Sequence, residues 1–101
     1  MMKFEGMKAE YCYGELFAIE RDNNRVNWYW AIPNYGDMYF LFGARDDKYT
    51  IEENMKYFIE NGAFKGYIRA TIDGLIEECE STGLGDLELL EELLEKIDNE
   101  E

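Results

Sequence analysis

Residues 13–44 read YGELFAIERDNNRVNWYWAIPNYGDMYFLFGA, and the reading of this stretch decides the fold. Aromatic and β-branched residues recur at a spacing near two, and turn-forming clusters interrupt them at 22–24 and 33–37, the pattern of antiparallel strands joined by tight connections. The predicted strands are 13–21, 25–32 and 38–44. Asn23 and Asn24 both tolerate positive φ and suit a two-residue hairpin loop. That loop sets a register in which Ile19 faces Trp28, Phe17 faces Trp30 and Glu15 faces Ile32. Trp28 and Trp30 then share an apolar face with Phe17 and Ile19 and read as core, leaving Tyr29 to face outward. On the third strand the same alternation groups Met38, Phe40 and Phe42. Upstream, residues 2–10, MKFEGMKAE, fit either an extra edge strand or a short helical lead-in, and Gly6 weakens both readings.

Downstream of Ala44 the period becomes helical. Thr50 and Glu53 are spaced as a capping box, in which the hydroxyl accepts from the Glu53 amide and the carboxylate reaches back to Thr50. A helix over 51–61 follows, with Ile51, Met55, Phe58 and Ile59 on one face and Gly62 as its stop. Ile68, Ile72, Leu75, Ile76 and Cys79 predict a second helix over 67–81, with a strand at 66–72 as the competing reading. Gly74 inside that helix costs about 1 kcal/mol relative to alanine, which predicts close packing or a bend there. Asp86 is a good N-cap for a third helix over 86–98. The expected fold class is α+β: an antiparallel three-stranded meander, four-stranded if residues 1–10 add an edge, followed by three helices packed on one face. A single domain over 1–101 is expected, mainly β over 1–44 and mainly α over 50–98.

Composition narrows the chemistry. The chain contains no histidine, which removes Ser-His and Cys-His mechanisms and the commonest zinc ligand. Cys12 and Cys79 are far apart and belong to no C-x-x-C pair, so both read as packed thiols rather than ligands or nucleophiles. Asp46 and Asp47 with Glu52 and Glu53 depart from calcium-loop spacing and lack its central glycine. No catalytic residue, metal or cofactor is assigned, and an enzyme is not expected. The longest uncharged aromatic run, 26–36, is too short and too broken by Pro33 and Gly36 to span a bilayer. Lys3, Glu5, Lys8 and Glu10 interrupt any secretory h-region, so a cytoplasmic location is expected.

The charge is lopsided. Residues 67–101 carry Arg69 and Lys96 against twelve acids, which is −10 of the chain's net −13. In the third helix Leu87, Leu89, Leu90, Leu93, Leu94 and Ile97 occupy one arc, and Glu88, Glu91, Glu92, Glu95 and Asp98 the opposite one. Asp73, Glu77 and Glu80 adjoin one another on the second helix, with Glu78 on another flank. Glu88 with Glu92 and Glu91 with Glu95 are like-charge i,i+4 pairs, each unfavourable by about 0.2–0.5 kcal/mol, so local helix energetics do not account for the pattern. A cationic partner surface is the expected explanation, with a solvated face that merely confers solubility as the alternative. The field also disfavours direct contact with nucleic acid or with an anionic membrane.

On Asp73, Glu77, Glu80, Glu88, Glu91, Glu92, Glu95 and Asp98, the chain resembles the small acidic inhibitors encoded by phages and other mobile elements, including anti-CRISPR and anti-restriction nucleic-acid mimics. The resemblance is one of character and covers the last third of the chain. It implies a non-catalytic inhibitor in the host cytoplasm. Its acidic helical surface would occupy the basic nucleic-acid site of a nuclease or effector complex, with exposed aromatics such as Tyr29, Tyr35 or Tyr39 as a desolvated anchor. The alternative is an acidic structural or adaptor module that forms a homodimer or docks through the apolar face of the third helix.

Overall fold

The computed structural model describes residues 4–11, 13–22, 25–33, 35, 37–45 and 48–99, with backbone alone for 4–7, 20 and 22. Four antiparallel strands, β1 (Phe4–Tyr11), β2 (Gly14–Asp22), β3 (Arg25–Ala31) and β4 (Met38–Arg45), form a sheet in the order β1-β2-β3-β4. Three helices follow, α1 (Ile51–Glu60), α2 (Ala63–Thr82) and α3 (Leu87–Asp98). From Phe4 onward the ambiguous N-terminal segment is therefore an edge strand, and the α+β meander is four-stranded. The loop residues Asn23 and Asn24 lie outside the described residues.

The register differs from the one the hairpin loop predicts. Ala18 pairs with Trp28, Leu16 with Trp30, Phe17 with Tyr29 and Glu15 with Ala31, because the ladder slips between Ile19 and Arg21. One extra residue on a strand exchanges the two faces of everything beyond it. Leu16 and Ala18 thus join the tryptophans in the core, and Phe17 leaves it. A second slip, between Trp28 and Tyr29, separates the β4 aromatics: Phe42 pairs with Trp28, and Phe40 pairs with Tyr29. Phe42 turns toward the helices and meets Tyr67, Phe58 and Phe64 at ring-centroid distances of 4.8, 5.0 and 5.5 Å. Phe40 stays on the other face, 54 % exposed, with its ring 5.4 Å from Tyr29.

Trp28, Trp30 and Leu16 are completely buried, as are Phe64, Ile68 and Ile72 from α2 and Leu90 and Ile97 from α3. Each such side chain removed from water contributes roughly 1.5–3 kcal/mol, so the layer between sheet and helices is the source of stability. The capping box forms as the sequence requires: Thr50 Oγ1 accepts from the Glu53 amide at 3.1 Å, and Glu53 Oε1 accepts from the Thr50 amide at 3.2 Å.

Helix α2 begins four residues earlier than its apolar spacing suggested, at Ala63 rather than Tyr67. Gly62 takes a left-handed conformation (φ 80°) that ends α1, and Asn61 Oδ1 accepts from the Ala63 amide at 2.9 Å, so the chain reverses at one residue. The helix then runs through 66–72, where a strand was the competing reading, and on through Gly74. A Cβ at Gly74 would meet nothing within 4 Å, so close packing does not explain that glycine. Asp86 caps α3, its Oδ1 accepting from the Leu89 amide at 3.1 Å.

Candidate acidic interface

Helical geometry distributes the carboxylates over two flanks. On α2, Phe64, Ile68, Ile72 and Cys79 mark the buried side. Arg69, Asp73, Glu77 and Glu80 are separated by four, four and three residues and therefore run along one flank, with Glu78 on another. Arg69 Nε donates to Asp98 Oδ1 at 2.7 Å, which turns that flank toward α3 and makes the two helices an antiparallel pair. On α3, Leu90, Leu93 and Ile97 point inward. Glu91 and Asp98 lie on the side toward α2, and Glu88, Glu92 and Glu95 on the outer side. Of the eight candidate residues Asp73 is half-buried and the other seven are exposed.

Two of the eight are matched from within the chain. Arg69 forks onto Asp98, adding an Nη2 to Oδ2 bond at 3.3 Å, while its Nη1 donates to Asp73 Oδ2 at 2.9 Å. The hydrogen bond from Arg69 holds the Asp98 carboxyl below the usual carboxylate range, and the same bond raises the guanidinium. Asp98's depressed pKa means its contribution to stability is present above the ordinary carboxylate range and is lost as pH falls through the folded value. Arg69→Ala is expected to return Asp98 toward the ordinary range, which carboxyl-detected NMR titration reads directly. It is also expected to strengthen binding of a cationic probe, because two bare carboxylates replace a neutralised cluster.

Glu77, Glu80, Glu88, Glu91, Glu92 and Glu95 have no ion pair among the described residues. Lys96 lies beside Glu92 and Glu95 at the C-terminal end of α3. Arg25 and Arg45 are cross-strand partners at the start of β3 and the end of β4, and Arg45 shares a cleft with Lys56 of α1. The opposite end of β3 leads into Ile32, which shares a groove with Leu89 and Leu93 of α3.

The aromatics named as exposed anchors are not exposed: Tyr29, Tyr35 and Tyr39 are each half-buried. The Tyr35 hydroxyl accepts from the Asp86 amide at 3.4 Å, and burial, with smaller contributions from Tyr35, Asp37, Glu78 and Cys79, raises the Tyr39 pKa. Glu78 joins Tyr35, Asp37, Tyr39 and Asp86 around a separate cleft of about 570 Å³. Among the described residues the exposed rings are Phe40, Tyr49, Tyr57 and Tyr67. Cys79 is a buried free thiol, while Cys12, Asp46 and Asp47 lie outside the described residues. Among the described residues no group of three or more Asp, Glu or Cys is arranged to hold a metal ion, and no helix is long and apolar enough to cross a membrane. Comparison with family models, curated proteins and solved structures finds no match for this chain.

Proposed function

We propose that the chain is a non-catalytic inhibitor that binds a basic, nucleic-acid-handling protein, such as a CRISPR effector or restriction nuclease, through the acidic surface of α2 and α3. The observation that carries the reading is the set of six carboxylates on α2 and α3 that have no ion pair among the described residues. Carboxylates held on such a scaffold engage the lysines and arginines that otherwise neutralise phosphates, and long-range attraction accelerates encounter. The nucleic-acid channel of the target is then blocked without any bond being made or broken. The alternative, association through the apolar face of α3, has less surface to draw on. Leu90, Leu93 and Ile97 are buried, and Leu87, Leu89 and Leu94 are half-buried against the core.

The test is a cleavage assay with purified CRISPR effectors and restriction endonucleases, with and without the chain, across a salt series. Inhibition that weakens with rising salt is expected for the cognate enzyme. The variant Glu88→Lys, Glu91→Lys, Glu95→Lys is expected to abolish it while circular dichroism remains that of the native fold. Undiminished inhibition by the folded variant rejects this surface as the site.

A further inference from the structure

The sheet has a second face. Phe58 of α1, Phe64 and Ile68 of α2 and Leu90 of α3 all pack on the side that carries Trp28 and Trp30, and no described helix covers the other. Cross-strand pairing arranges that open side in rows. Phe17, Tyr29 and Phe40 are successive partners across β2, β3 and β4, with Lys8 of β1 opposite Phe17. Toward the β1–β2 connection the neighbouring row is Glu10, Glu15, Ala31 and Met38. At the far end of the strands Arg25 stands opposite Arg45. Arg25 Nη2 donates to the Gly43 carbonyl oxygen at 3.4 Å, and a Cβ on Gly43 would lie 3.0 Å from the same nitrogen, so this guanidinium lies along the open face.

Both end rows oppose like charges within one chain, an arrangement that destabilises a ladder by itself. Lys8 reaches Glu15 at 3.3 Å, whereas Glu10 and Arg25 have no ion pair among the described residues. The face is therefore acidic at one end, aromatic in the middle and basic at the other. Turned end for end, it is complementary to itself, which is the requirement of an isologous contact.

We infer that two copies of the chain stack through this face, related by a two-fold axis that lies between the sheets and runs across the strands. The Arg25 end of each copy sits over the Glu10 and Glu15 end of the other, and the aromatic rows meet near the axis. Residues 67–101, which hold −10 of the net −13, belong to α2 and α3 and lie on the outer side of each copy. Stacked sheets are about 10 Å apart, so the acidic helices beyond them are separated by more than the ~8 Å Debye length of physiological salt. Four strands of seven to nine residues present roughly 500 Å² of face per copy. That area is at the low end for a specific contact and predicts a weak, concentration-dependent dimer. The inference does not depend on the acidic-interface reading.

Sedimentation equilibrium over a micromolar to millimolar series is expected to show a monomer–dimer equilibrium. Phe40→Lys, at an exposed position, is expected to weaken it roughly tenfold or more. Exchanging charges tests the orientation. Arg25→Glu and Glu10→Arg each relieve a like-charge pair within their own chain, so the fold is retained, as circular dichroism checks. Each variant alone is expected to dimerise less than the parent, because like charges now face each other at both ends. An equimolar mixture of the two is expected to restore the dimer, since positions 25 and 10 again carry opposite charges across both contacts. A chain that stays monomeric throughout the series overturns the inference. So does a dimer that survives Phe40→Lys, or a mixture that associates no more tightly than its components. The triple lysine variant of α3 lies on the far side of each copy and is expected to leave the dimer intact; loss of the dimer there moves the contact to α3 and overturns the proposed face.

Discussion

Trp28→Ala is expected to destabilise the domain by about 3–5 kcal/mol, which large-to-small changes of a buried aromatic typically cost. The side chain is completely buried, and its ring lies 5.3 Å from Phe64 and 6.2 Å from Phe58, so it joins the sheet to both α1 and α2. No neighbour is placed to refill the space, because its cross-strand partner Phe42 is already packed against Phe58 and Phe64. Small domains are stable by only about 5–15 kcal/mol, so much of that margin disappears. Urea unfolding checks this, with the midpoint expected to fall by on the order of 2 M. Trp28→Phe makes a useful contrast. The indole N–H has no partner among the described residues, so removing it relieves an unmet donor while most of the ring contact is kept. Its cost is expected to be well below that of alanine.

Gly14→Ala is expected to be comparably damaging, at roughly 3–5 kcal/mol, for a different reason. Gly14 has φ 150°, a conformation that side chains rarely adopt, and the new methyl would sit 2.4 Å from the carbonyl oxygen of Ala31 and 2.6 Å from Trp30 Nε1. Neither neighbour moves easily: one is backbone within the sheet, the other the edge of a fully buried indole. Relief requires the β1–β2 corner to separate from β3. The expected result is a lower thermal midpoint together with loss of protection of the β1 and β2 amides in hydrogen exchange. A midpoint within a degree of the parent would mean that the corner is far more compliant than its contacts indicate.

Much of this architecture is legible in the residues, and the parts that are not share a cause. Capping chemistry is local, so Thr50 with Glu53 and Asp86 with Leu89 place two helix starts correctly. Strand positions follow from alternation and turn residues. Register does not, because the slip between Ile19 and Arg21 is a one-residue event that leaves composition and spacing unchanged. Its effect nevertheless extends to Leu16 and Phe17, which exchange faces. The same holds for Phe40 and Phe42. The early start of α2 depends on the Asn61 side chain bonding across Gly62, a contact that apolar periodicity does not report. At the candidate surface the helical wheel places the carboxylates well. It gives no account of Arg69, whose bridge to Asp98 spans 29 residues and requires both helices to be docked first.

The −10 carried by residues 67–101, out of −13 for the chain, makes the molecule electrically polar, with its negative end on α2 and α3. In an external field such a body feels a torque as well as a pull. Near a positively charged surface it would rotate helices-foremost while still some Debye lengths' fraction away, so that a larger share of collisions begins in one orientation.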